Sequence, residues 1–454
     1  MSSPDIALST DDSHARLARL SVVARQLLER ARAAGASQCE VVCNEDAGLN
    51  VNVRMGEVET VEATRDRGVG ITVYFGQRKG NASTADVRED SLAATVAQAC
   101  AIARHTEEDP CAGLADAALM AQTLREFDSW HPAAFDADRA IDLALACEAA
   151  GRGVDARIGN SDGGAMSCSA ALSVYANSHG FLGAERHTSY SLGCTLIAGS
   201  GEAMQRDGWY DVALAQGDLA SPEAIGRKAA QRTLERLDPR QLPTGQVPVL
   251  FNAEMARSLV GGYIGAVSGG ALYRRASFLL DSVGTRVFPG WFAIEEDPFL
   301  PRGFRSASFD SDGVATRRSM LVEDGIVQRY ILGSYSARKL GLVTTANAGG
   351  VHNLQVKANA GDLASQIKAM RRGLLVTELM GQGVNAITGD YWRGAAGFWV
   401  EHGEIAYPVD GITIAGNLKD MFAAIETVGS DVDTRSHVRT GSILIGRMTV
   451  AGTG

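Results

Sequence analysis

The residues from Val249 to Leu259 read as a buried strand, Val249-Leu250-Phe251, running into a helix. A strand-to-helix junction of this kind is a common place to mount a catalytic metal. A zinc site needs about three protein ligands, drawn from histidine, cysteine and carboxylates. Yet no histidine lies between His187 and His352, and no cysteine follows Cys194. The frame of a metal site is present without its ligands.

Other groups that could do chemistry are weaker candidates. His402-Gly403-Glu404 with Glu401 could help hold a cation, but Gly403-Glu404 reads as a hairpin tip between Phe398–Val400 and Ile405–Tyr407. His352 follows Gly349-Gly350, where a hydrogen-bonded structural histidine is the simpler role. Ser334 to Lys339 contains serine and lysine, a pairing common by chance and not taken as a paired nucleophile. None of the seven cysteines (39, 43, 100, 111, 147, 168 and 194) has a local context that would make it reactive. The most unusual stretch is Thr377 to Gly397, in which glycines alternate with Asn, Thr, Asp, Tyr and Arg. It reads as a loop offering backbone donors and acceptors at close approach, which suits an extended peptide held by main-chain hydrogen bonds. No Gly-Lys-Ser/Thr follows its glycines, so it is not a phosphate loop. Candidate substrate-lining residues, chosen for polar and glycine-rich context, are Gly381, Asn385, Asp390, Tyr391, Arg393, Tyr335 and His352.

The elements that must position these residues can be read in part. Leu17, Leu20, Ala24, Leu27, Leu28 and Ala31 recur at helical spacing over 15–34, and Gly35 supplies the stop. Leu49 to Arg54 alternates apolar and polar as a strand, with a turn at Gly56-Glu57 and further strands at Val58–Glu62 and Gly70–Phe75. Helices follow at about 89–105, 136–150 and 221–237, the last opened by Ser221-Pro222. Asp238 to Gly245, with two prolines and a glycine, is the best boundary. The expected organisation is a domain over 1–237 and a second over 245–454, the latter strand-rich with a helix at 253–267. The expected class is α+β, with helices packed on an antiparallel sheet in the first domain and an antiparallel, barrel-like second domain.

Composition narrows the function. The 454 residues are 45% apolar and 21% charged, as in an ordinary globular protein. A net charge of −10 disfavours nucleic acid, whose binding depends on neutralising phosphates. An odd number of cysteines without Cys-x-x-Cys spacing points to free thiols in a reducing compartment. No signal peptide is evident behind Asp5, Asp11 and Asp12, and no membrane span is expected, so a cytoplasmic location is the default.

Several segments carry a resemblance: Gly70–Tyr74, Asp109–Gly113, Asn177–Gly180, Phe278–Ser282, Ser334–Leu342, Thr377–Asp390, Arg393–Glu401 and Ile414–Met421. Through them the chain resembles, along essentially its whole length, the TldD/PmbA family, also called modulators of DNA gyrase, and within it the PmbA branch. The resemblance implies a metalloprotease system whose TldD-type subunit carries zinc on a helix with His-Glu-x-x-x-His and a late cysteine. Aligning that motif on Glu254 puts Ala253 and Ser258 at the histidine positions; shifting it by one puts Asn252 and Arg257 there. No ligand results in either register. The resemblance therefore implies no metal, cofactor or catalytic residue in this chain, and zinc in a TldD-type partner. It implies a heteromer acting on unfolded or flexible peptides, in peptide-antibiotic maturation (microcin B17) and antidote degradation. A homodimer is the expectation when the chain is alone. Two rivals are an independent hydrolase with an unrecognised site and a protein that binds gyrase directly.

Overall fold

The computed structural model describes residues 12–133 and 136–452. Asp5 and Asp11 of the N-terminal stretch lie outside them. The chain forms two compact units: residues up to 234 together with 308–316, and residues 235–307 together with 317 onward.

The first unit runs α1 (Ser13–Ala33), β1 (Gln38–Arg54), β2 (Glu57–Phe75), β3 (Arg78–Thr84), α2 (Glu89–His105), α3 (Ala137–Arg152), β4 (Asn160–Asn177), β5 (Leu182–Ala198), β6 (Gln205–Ala213) and α4 (Pro222–Glu235). Its six strands form one antiparallel sheet in the order β3-β2-β1-β4-β5-β6. Alternation decides its faces. On β1, Val41, Cys43, Leu49, Val51 and Val53 are buried while Asp46, Asn50 and Asn52 are exposed. Leu20, Ala24, Leu27 and Ala31 of α1 form one buried helical stripe in the same core cluster as Val41, Cys43 and α2 residues Leu92, Val96 and Ala99. The expected strands at 58–62 and 70–75 are one continuous strand, β2, because β1 pairs with it along nearly its whole length.

A strap from the second half of the sequence completes this unit. Ala121 N–H donates to Gly313 O (3.1 Å) and Ala315 N–H to Leu119 O (2.9 Å). Phe309 of the strap meets Phe181 edge-on at 5.2 Å, and the Tyr175 hydroxyl oxygen lies 3.2 Å from Asp312 O.

The second unit contains β7 (Gly245–Phe251), α5 (Ala253–Ala266), α6 (Gly269–Tyr273), β8 (Ile294–Asp297), β9 (Ser319–Glu323), β10 (Ile326–Val327), α7 (Ser334–Leu340), β11 (Asn353–Val356), α8 (Leu363–Met370), β12 (Gly373–Met380), β13 (Asp390–Glu401), β14 (Glu404–Asn417), α9 (Leu418–Ala423), β15 (Ile425–Val428), β16 (Val438–Arg439) and β17 (Ile443–Gly452). Strands β14-β13-β12-β7-β17 close on themselves through a β14–β17 pairing, with β15 added beside β17, and a separate sheet runs β10-β9-β8-β11-β16. This is the α+β architecture with a barrel-like second half. It departs from a purely antiparallel one at two pairings, β7–β12 and β11–β16, which are parallel. Strand β7 is buried on both faces. Val249 and Phe251 share a cluster with Ala256, Leu259, Val260 and Tyr263 of α5, while Leu250 packs with Ile367 of α8 and with Leu375, Phe398 and Leu444. A strand covered on both sides reads as a continuous apolar run, which is what Val249-Leu250-Phe251 is.

Candidate functional site

Asn252 ends β7 and caps α5: its Oδ1 accepts the N–H of Met255 at 2.9 Å, so Ala253 opens the helix. The cap fixes where the first turn points. Glu254 meets Arg435 at 3.1 Å. Arg435 also grips Asp433, through Nε to Oδ1 (3.0 Å) and Nη2 to Oδ2 (3.1 Å), and Arg257 reaches the same carboxylate at 3.4 Å. Two carboxylates and two guanidiniums thus form a largely buried lattice beside the start of α5. Burial would raise the Asp433 carboxyl, but the bonds from Arg435 and the charge of Arg257 outweigh it and hold it below its usual range. His437 is held low by burial, with Arg305 and Arg257 adding to the effect. Ser258 turns its hydroxyl back to Met255 O (2.7 Å). Among the described residues no group of three or more His, Cys, Asp or Glu side chains is arranged to hold a metal ion.

The glycine-rich stretch is only partly a loop. β12 ends at Met380 and β13 begins at Asp390, so the loop is 381–389, and Tyr391 and Arg393 stand on a strand. The loop is built from short-range bonds. Asn385 Oδ1 accepts the N–H groups of Ile387 (3.0 Å) and Thr388 (3.3 Å), and Asn385 N–H donates to Asp390 O (2.8 Å). Asp390 accepts the Thr388 hydroxyl (2.7 Å) and Asn417 Nδ2 (3.2 Å), which together keep its carboxyl low. Gly381 has φ +76°, open to few other residues. At Gly383 a Cβ would stand 1.5 Å from Trp392 O, so no side chain fits there. Met380, Val384, Ile387 and Trp392 are exposed around this turn. The sequence reading passed over these four; apolar residues set among turn-forming glycines were the available signal.

The remaining expected site residues are dispersed. Tyr391 is buried in the core of the second unit, and burial pushes its hydroxyl up to about 12. Tyr335 stands on α7, 40% exposed, edge-on to Tyr273 at 5.9 Å with the Lys339 ammonium over its ring. His352 is buried: its backbone N–H donates to Glu296 Oε1 (2.6 Å) and its Nδ1 lies 3.2 Å from the same oxygen. Glu296 also pairs with Arg329 and accepts Asn347 Nδ2 at 2.9 Å. His352 therefore has a structural place in a buried network. The thiols are free, and burial pushes Cys39 up to about 11, Cys43 to about 12 and Cys168 to about 11, which leaves them protonated at neutral pH.

Comparison with known proteins matches this architecture domain by domain. Three models of the PmbA/TldA metallopeptidase family align with it: domain 1 over residues 39–103, the central domain over 130–237 and the C-terminal domain over 244–452. The metalloprotease PmbA of Escherichia coli O157:H7 is 48% identical over 413 residues, 91% of this chain and 92% of that protein. The solved structure of a protein described as a modulator of DNA gyrase, from Bacteroides thetaiotaomicron, superposes with a TM-score of 0.90 at 24% identity, covering 95% of this chain and 98% of that one. TldE from Thermococcus kodakarensis superposes at 0.81 with 19% identity, covering 94% and 99%; at these identities the likeness shows the fold. The chain belongs to the PmbA/TldD family of metallopeptidases.

Proposed function

We propose that this chain is the metal-free, peptide-holding subunit of a two-chain metalloprotease, with zinc carried by a TldD-type partner. The observation that supports this most directly is the ion-pair lattice at the first turn of α5. The donor set there does not fit zinc. Glu254 is the one potential ligand among Asn252, Ala253, Glu254, Arg257 and Ser258, and its carboxylate already faces Arg435. A divalent cation at this turn would stand beside Arg257 and Arg435. Each unit of like charge at 4 Å costs roughly 4 kcal/mol in a protein-surface environment. No hydrolytic step is therefore assigned to this chain.

Its own contribution is to hold substrate. The loop 381–389 offers backbone groups at Gly381, the fixed polar side chains of Asn385 and Asp390, and the apolar surface of Ile387 and Trp392. An extended, unfolded peptide can lie on such a surface through main-chain bonds, with side chains in apolar contact. Arg393 and Tyr335 extend the proposed contact set, while Tyr391 and His352 are buried and keep structural places. The substrates proposed are flexible peptides, including antibiotic precursors and antidote proteins, in the cytoplasm.

The test is co-expression with a TldD-type subunit, followed by peptidase assays and metal analysis of each chain alone and together. Hydrolysis is expected only from the pair, and a chelator abolishes it. Stoichiometric zinc on this chain by itself, or peptide hydrolysis by it alone, would overturn the reading.

A further inference from the structure

The first unit contains a cavity of about 570 Å³ remote in sequence from α5 and the 381–389 loop. That volume lies within the range of small-molecule sites. It is lined by Glu40, Thr72, Asn81, Ser83, Ser311 and Asp312, with Gln98, Tyr175 and a few small apolar groups, and no lysine or arginine is among its lining residues. We propose that this cavity binds a primary ammonium group, with the Glu40 carboxylate as its principal acceptor.

The argument rests on how Glu40 is held. Its Oε1 accepts the Tyr74 hydroxyl (3.0 Å) and its Oε2 the Tyr175 hydroxyl (2.9 Å). The two tyrosines fix the carboxylate while it lines the open space. Each oxygen keeps further acceptor capacity, which suits N–H donors. An inner-sphere metal ion is less suited, because among the described residues no group of three or more His, Cys, Asp or Glu side chains is arranged to hold one. Burial raises the Glu40 carboxyl above its usual value of 4.5; the Tyr175 and Tyr74 bonds, and after them the Lys79 charge, offset this only in part, and Asp312 adds to the rise. A bound ammonium would relieve both effects. The hydroxyl and amide groups around it can accept or donate the remaining hydrogen bonds of a small polar ligand.

A primary ammonium can come from a peptide N-terminus or a lysine side chain, and the probes separate these sources. Trialanine amide, its N-acetylated form and N-acetyl-lysine amide are titrated calorimetrically into the purified full chain. Saturable binding of at least one free-amine probe is expected, with none for N-acetyl-trialanine amide. Trialanine amide binding identifies the N-terminal source, and N-acetyl-lysine amide binding the side-chain source. Glu40→Gln keeps the side chain's shape and an acceptor for one tyrosine, turns an amide donor to the other hydroxyl, and removes the charge. It should weaken ammonium binding about tenfold or more while leaving the melting temperature near that of the unaltered chain. Equal binding of the acetylated peptide, unchanged affinity in Glu40→Gln, or no binding of either free amine would overturn the assignment. Calcium competing stoichiometrically with the amine would replace it with a cation site. The readout is binding, so it stands or falls separately from the peptidase reading.

Discussion

Glu296 shows how much a single buried carboxylate can organise. His352, Asn347 and Arg329 all converge on it. Burial would raise its pKa, yet the His352 bonds and the Arg329 charge leave it lowered from the usual 4.5. Truncating it leaves Arg329 buried without its partner, so Glu296→Ala should cost roughly 3–5 kcal/mol in a urea titration. The same logic gives a pH dependence. Glu296 and Asp433 are depressed in the folded chain, so their stabilisation is full above their unfolded values and fades as pH falls through the folded ones. His437 and His187 are also held low, mainly by burial, and must take up protons on unfolding as pH drops below their usual 6.5. The urea midpoint should therefore fall progressively below about pH 6.5, and a midpoint flat from pH 7 to 4 would contradict this electrostatic reading.

At the scale of elements, α5 and the 381–389 loop respond differently to change. Asn252→Ala removes the cap and should cost about 1 kcal/mol, with α5 otherwise retained. Gly383→Ala collides with Trp392 O, so the loop must rebuild; Ile387→Ala and Trp392→Ala only strip its apolar surface. All three should lower peptide cleavage by the two-chain complex while leaving subunit assembly, measured by co-purification, intact. Unchanged cleavage across the set would remove this loop from the peptide site. The β7–α5 junction was readable in the sequence because local signals agree: a continuous apolar run, then an asparagine cap, then helical spacing. The start of β13 was not. Its glycines look like turn residues, but Gly397 is required inside a strand, where a Cβ would lie 1.9 Å from Leu375 O. Composition cannot distinguish a glycine that bends a chain from one that lets two strands approach. The parallel β7–β12 pairing was equally hidden, since its strands are far apart in sequence and joined through the rest of the unit. The ion lattice escaped for the same reason: Arg435 and Asp433 meet Glu254 and Arg257 only in three dimensions.

For the whole molecule, a net charge of −10 sets a limit on partners. Fluorescence anisotropy with duplex DNA at physiological salt should show no binding at micromolar chain, because no phosphate-neutralising surplus exists. Among the described residues no helix is long and apolar enough to cross a membrane. The strap at 308–316 bears on how the protein comes into being. Domains usually fold in order as they leave the ribosome, at roughly 5–20 residues per second. Here the first unit is missing a piece until Thr316 has been made, about 80 residues after α4 ends, a delay of roughly 4–16 s at those rates. During that interval Tyr175 and Phe181 lack the Phe309 and Asp312 contacts that the strap brings. A gene cut at its own proline-rich linker should therefore yield a fragment that binds hydrophobic dye and precipitates unless the strap is supplied as a peptide.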